Sequence, residues 1–239
     1  MTVDPSNTRF TMNHPNPKGD LRAIEEPEKR ERPELLEART ALQFDQQFDE
    51  AIAQANEFLG LGDEELAAEA ARLAALGMFR KGAYDEALPL FERRAQFSQQ
   101  SADWYNAAAA ATLSGAIDRG AQYFSKAVEC HREVVDAQTP SLEYLRLMFA
   151  SLLRDCQQYE SSLDQIEKLQ TAYERPGHAS DKSLLNPLTP PLSQTLDLAA
   201  DVLESLKDSV DAESWMKTFA ERLSGENRRA VTEACNRLR

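Results

Sequence analysis

Phe48-Asp49-Glu50-Ala51, Tyr84-Asp85-Glu86-Ala87, Ile117-Asp118-Arg119-Gly120 and Tyr159-Glu160-Ser161-Ser162 are four versions of one phrase, each at the head of an amphipathic segment. They begin 36, 33 and 42 residues apart, close to the period of about 34 residues at which helix-turn-helix units stack. One such unit cannot bury its apolar face alone, so the repetition predicts an all-α superhelical solenoid of about four helical hairpins. A stack of that kind curves, and its concave side suits another protein or a peptide segment.

Working outward from the phrases, helical periodicity runs from Glu34 to Tyr173. Leu35, Leu36 and Leu42 mark a first helix, and Phe48, Ile52, Ala55 and Leu59 mark its partner. Asp63 is placed to cap the next helix, which Gly82 ends; Asp85 is placed to cap its partner, with Pro89 near enough to the start to cost few hydrogen bonds. The third hairpin runs from Ser101 to about Val135 and turns at Ser114-Gly115. Thr139-Pro140 reads as a cap followed by a first-turn proline, and the 42-residue interval predicts a longer second helix in the third unit.

The flanks differ. Residues 1–31 are polar and proline-bearing and predict a disordered arm; Phe10 to Met12 is a candidate recognition segment, an unstructured tail the plainer reading. Residues 174–192 carry Pro176, Gly177, Pro187, Pro190 and Pro191, which forbid continuous helix and predict a linker or long loop. Residues 193–239 regain helical spacing in three runs, around Leu196 to Leu206, Trp215 to Leu223 and Val231 to Leu238. They predict three helices that cap the repeats of residues 32–173.

In the third unit, Trp104-Tyr105-Asn106 followed by Ala107, Ala108, Ala111, Gly115, Gly120, Phe124, Lys126 and Ala127 resembles a tetratricopeptide repeat nearly throughout. Gly82, Tyr84, Asp85, Glu86, Ala87, Leu90 and Phe91 resemble the second half of the same repeat, whereas Ala71 stands where the family prefers an aromatic residue. Units one and four match only in the phrase and in apolar spacing, and the last 65 residues match no pattern we can name. Small side chains at Ala107, Ala108, Ala111 and Gly120 predict close helix approach, with Trp104 and Phe124 filling the space between hairpins.

The resemblance also implies where a partner would lie, because family members line the inner groove with a stripe of each first helix. By alignment the stripe holds Arg72, Leu76, Phe79 and Arg80 in unit two, Tyr105, Asn106, Ala109 and Thr112 in unit three, and Tyr144, Leu147, Met148 and Ser151 in unit four. Phe79, Tyr105, Tyr144 and Leu147 are the expected apolar anchors, with Arg72 and Asn106 fixing polar groups. The alternative is that the chain covers part of the stripe itself, with its C-terminal helices or the segment Leu184 to Leu192. The variety that clamps acidic chaperone tails is not expected: Arg72, Leu76, Asn106, Tyr144 and Met148 retain two of its five donors.

Composition excludes more than it selects. A net charge of -13 repels phosphate backbones, so nucleic acid is not an expected partner; a basic protein or peptide suits the field, although acidity is more often a route to solubility. No apolar run approaches the ~20 residues of a membrane span, and the N-terminus lacks a signal core, so a cytoplasmic protein is expected. The three cysteines lack metal or disulfide spacing, and Cys130-His131 are adjacent on a predicted helix, where their side chains diverge. With no HExxH, GxSxG, P-loop or dinucleotide pattern, neither catalysis nor a cofactor is expected. The sequence therefore reads as an adaptor or assembly module; a secretion-type chaperone of the same repeat class is the alternative, and a structural subunit of a larger complex is a third.

Overall fold

The computed structural model describes residues 32–43, 47–131, 140–174, 190–223 and 225–237. The expected arm at 1–31, most of the expected linker, and Val135 and Thr139 lie outside the described residues. Among the described residues the protein is all-helical, with no strand. A 3-10 turn, Pro33–Leu35, leads into α1 (Leu36–Leu42), α2 (Phe48–Asn56), α3 (Glu64–Arg80), α4 (Tyr84–Ser98), α5 (Ser101–Leu113) and α6 (Ile117–Cys130). There follow α7 (Leu142–Asp155), α8 (Tyr159–Tyr173), α9 (Leu192–Ser205), α10 (Ala212–Glu221) and α11 (Gly225–Arg237). The four phrases open α2, α4, α6 and α8.

One turn recurs three times. After α3, Gly82 takes φ +79°, its amide donates to the Phe79 carbonyl, and the Ala83 amide donates to the Met78 carbonyl at 2.9 Å. Gly115 (φ +88°) and Ala116 repeat these bonds after α5, to Thr112 and Ala111, and Gln157 (φ +60°) and Gln158 repeat them after α7, to Arg154 and Leu153. This is the left-handed helix stop that satisfies two orphan carbonyls and reverses the chain within a few residues. Its positions are 33 and 42 residues apart, the same intervals that separate the phrases. Each helix accordingly packs on its sequence neighbours from α1 through α6, and α7 packs on α8.

Helix starts follow the caps. The Asp63 carboxylate accepts from the Leu66 amide at 3.0 Å, and that bond, with Arg32 beside it, holds the carboxyl below its usual range. Two expected starts are corrected. Asp85 lies inside the first turn of α4, whose cap position is Ala83, and α7 begins after Ser141, whose hydroxyl accepts from the Tyr144 amide at 3.2 Å. Nor does the long interval lengthen α6, which stops at Cys130 because His131 turns extended.

Two apolar cores result. The first joins α1 to α7 and is built on small residues: a Cβ added to Gly120 would overlap Thr112 Oγ1 and lie 3.2 Å from the Ala108 carbonyl oxygen, so α6 lies against α5 at backbone distance. Phe124 stacks on Phe149 of α7 at 4.1 Å, joining the third and fourth hairpins as its sequence position predicts. The second core runs from α8 through α11 and is filled by Leu169, Leu203, Met216, Phe219 and their neighbours. Helix α7 serves both, with Phe149 and Leu152 in the first and Ala150 in the second.

Candidate functional site

Helix α3 carries the first part of the expected stripe, and it is buried continuously from Leu66 to Gly77. Leu76 and Phe79 are 2% and 5% exposed; the Phe79 ring meets Tyr84 at 5.1 Å and Phe91 at 6.0 Å, both edge-on contacts to α4. Arg72 is shut in as well. Its Nε donates to Glu69 Oε1 at 2.9 Å, while Arg94 of α4 reaches Glu69 Oε2 at 3.3 Å and donates through Nε to Asp103 Oδ2 of α5 at 2.9 Å. Ser98 Oγ donates to the same Asp103 oxygen at 2.6 Å, and Arg39 of α1 lies 3.8 Å from Glu69. Arg72 thus belongs to a charge network that ties α1, α3, α4 and α5. Arg80 is exposed, but its guanidinium donates to the Leu42 carbonyl and lies over the Phe48 ring, holding the end of α3 to α1 and α2.

Helix α5 has no exposed residue from Ser101 to Thr112. Tyr105 is 2% exposed, edge-on to Phe124 of α6, and burial pushes its phenol well above the ordinary value. Asn106 and Ala109 are buried, and Thr112 faces Gly120 with its hydroxyl donating to the Ala108 carbonyl at 2.9 Å. The expectation of an open wall on α3 and α5 is therefore corrected: of the eight stripe side chains there, all but Arg80 are enclosed. The reason is that spacing of three or four residues assigns side chains to one helix face without saying what lies against that face.

On α7 the stripe is accessible. Tyr144, Leu147, Met148 and Ser151 are all partly exposed. Leu147 leans on the second core and Met148 on the first, so this short row spans their junction. Arg154 borders it, with Nη2 donating to Ser151 Oγ at 3.4 Å and Nη1 to Asp201 Oδ2 of α9 at 2.9 Å. Partial burial raises the Tyr144 phenol. A polar tip on an apolar ring beside a flexible thioether is the composition favoured where proteins dock.

Sequence reasoning missed Glu69, Arg94 and Asp103. The one signal available was the i,i+3 spacing of Glu69 and Arg72, which marks a paired face. Among the described residues no group of three or more His, Cys, Asp or Glu could hold a metal ion, and no helix is long and apolar enough to cross a membrane. No protein-family model matches the chain, and no curated protein matches it.

Proposed function

We propose that the chain is a tetratricopeptide-like solenoid, with α9 to α11 as its cap, that works without catalysis as a protein- or peptide-binding adaptor. The observation that carries this reading is the partly exposed row Tyr144, Leu147, Met148 and Ser151 on α7. It is the accessible part of the stripe that the repeat resemblance implies, and its Met148 and Leu147 lie against the first and second cores respectively. A partner segment gains by covering these atoms at roughly 25 cal/mol per Å² of apolar surface, less the cost of ordering it.

The test is affinity capture from the native host, comparing the full chain with Tyr144→Ser, Met148→Ser. The reading expects specific proteins captured by the parent and lost from the variant while helix content is unchanged. Undiminished capture by the variant would remove α7 from the binding surface.

A further inference from the structure

Helices α7 and α9 run side by side in the same direction, and contacts at both ends fix this. At the C-terminal end, Arg154 joins Ser151 of the accessible row to Asp201 of α9. At the N-terminal end, Tyr144 acts on the phenol of Tyr173, whose hydroxyl meets Thr195 Oγ1 of α9 at 2.7 Å. The apolar row on α7 therefore has α9 for a neighbour along its length, and that neighbour is acidic. Asp197, Asp201 and Glu204 of α9 are exposed, and spacings of four and three residues set them on one helix face. Tyr144 to Ser151 spans two turns of helix, and so does Asp197 to Glu204, so each stripe is about 10 Å long. The nearby cations are committed elsewhere: Arg154 pairs with Asp155 and Asp201, and Arg146 donates to Gln165 of α8. Among the described residues, Asp197 and Glu204 make no ion pair.

We propose that the segment docking on α7 is a basic amphipathic helix, with its apolar face on Tyr144, Leu147 and Met148 and its lysines or arginines against Asp197 and Glu204. This names the partner class for the row and rests on reading that row as a docking surface. A helix suits the pair of stripes, because its apolar and its charged groups both recur at three and four residues on adjoining faces. An extended segment would set only about three residues along the same 10 Å. The charge sign follows from α9 and from a chain of net charge -13, which repels an acidic segment and draws in a basic one.

Fluorescence anisotropy of the full chain with a labelled helical peptide tests it, the peptide carrying leucines at i, i+3, i+4 and i+7 and lysines along one flank. At low salt, Asp197→Ala, Glu204→Gln should weaken binding about tenfold. Glu57→Gln, Glu129→Gln, an equal change of charge at exposed positions on α2 and α6, should leave it within about twofold. Equal loss in both variants, no loss in the first, no binding by the parent, or equal affinity for the glutamate-flanked peptide overturns the proposal. So does binding seen only in Leu184→Ala, Leu185→Ala, which assigns the row to the chain's own α8–α9 segment, or only on dissociation of a dimer, which assigns it to a second copy. Should the α9 variant lose helix content, the unaltered chain decides: the lysine peptide must release as salt approaches about 1 M, where screening acts within about 3 Å, and undiminished binding there overturns the proposal. The capture experiment separates the two readings. Capture lost in Tyr144→Ser, Met148→Ser and kept in the α9 variant retains α7 as the docking row and overturns its basic partner, whereas capture kept in both overturns the row as well.

Discussion

The two cores solve the same packing problem with different materials. Alanine supplies 16 of the 31 buried apolar residues described in the first and 3 of the 18 in the second, so the first is stabilised by close backbone approach and the second by side-chain volume. Their buried polar groups differ in the same sense. The first holds the charged seam of Glu69, Arg72, Arg94 and Asp103, whereas the second uses neutral bonds such as Gln170 Nε2 to the Phe219 carbonyl at 2.6 Å and Ser162 Oγ to the Ala150 carbonyl at 2.7 Å. A narrow interhelical gap has no room for large apolar filler, and long charged side chains that cross its edge tie four helices at once.

The largest expected effect attacks that seam. Glu69→Gln leaves Arg72 and Arg94 enclosed without their shared anion and should cost about 3–5 kcal/mol in denaturant unfolding. An effect below 1 kcal/mol would reduce the seam to decoration. Next, Gly120→Ala should cost about 1–3 kcal/mol by overpacking, and Thr112→Ala in the same chain should recover part of it by removing the atom that the new methyl overlaps. Independent, additive losses would mean that α5 and α6 do not approach as described.

A third test uses one buried tyrosine from each region. Burial raises both Tyr105 and Tyr173, and in Tyr173 the hydrogen bond from Thr195 opposes the shift. For a phenol raised in the folded state, the unfolded chain releases its proton first. Stability is therefore unaffected below the ordinary value near 10 and falls as the pH climbs above it. Tyr105→Phe should flatten this alkaline decline, measured as unfolding midpoint between neutral and strongly alkaline pH; an unaltered slope would show that Tyr105 is not enclosed. The smallest effect is a gain. Gln157 occupies the left-handed position that Gly82 and Gly115 fill in the other two turns, so Gln157→Gly should stabilise by about 0.5–1 kcal/mol. Destabilisation would break the equivalence of the three turns.

These elements also mark how far the sequence could be read. The phrases, the glycine turns, the Asp63 cap and the small residues between α5 and α6 were legible because each is a local or near-neighbour requirement. The start of α7 was misplaced because Thr139 and Ser141 are both good caps two residues apart, and Asp85 was misread because an acidic residue suits the first turn as well as the cap. The enclosure of Tyr105 was not legible. Helix α5 is small or apolar nearly all round, so no face of it is marked as outward. Likewise, nothing local showed that Leu163 and Ile166 of α8 would join the C-terminal helices in a second core.

The central claim is that a partner docks on the accessible row of α7 and not on the enclosed stripe of α3 and α5. Amide hydrogen exchange of the full chain, with and without a captured partner, tests it most directly. The account predicts that bound partner slows exchange in α7, from Leu142 to Asp155, with α4 and α10 unchanged. Slowing confined to α4, α10 or α11, with α7 exchanging as in the free chain, would contradict it.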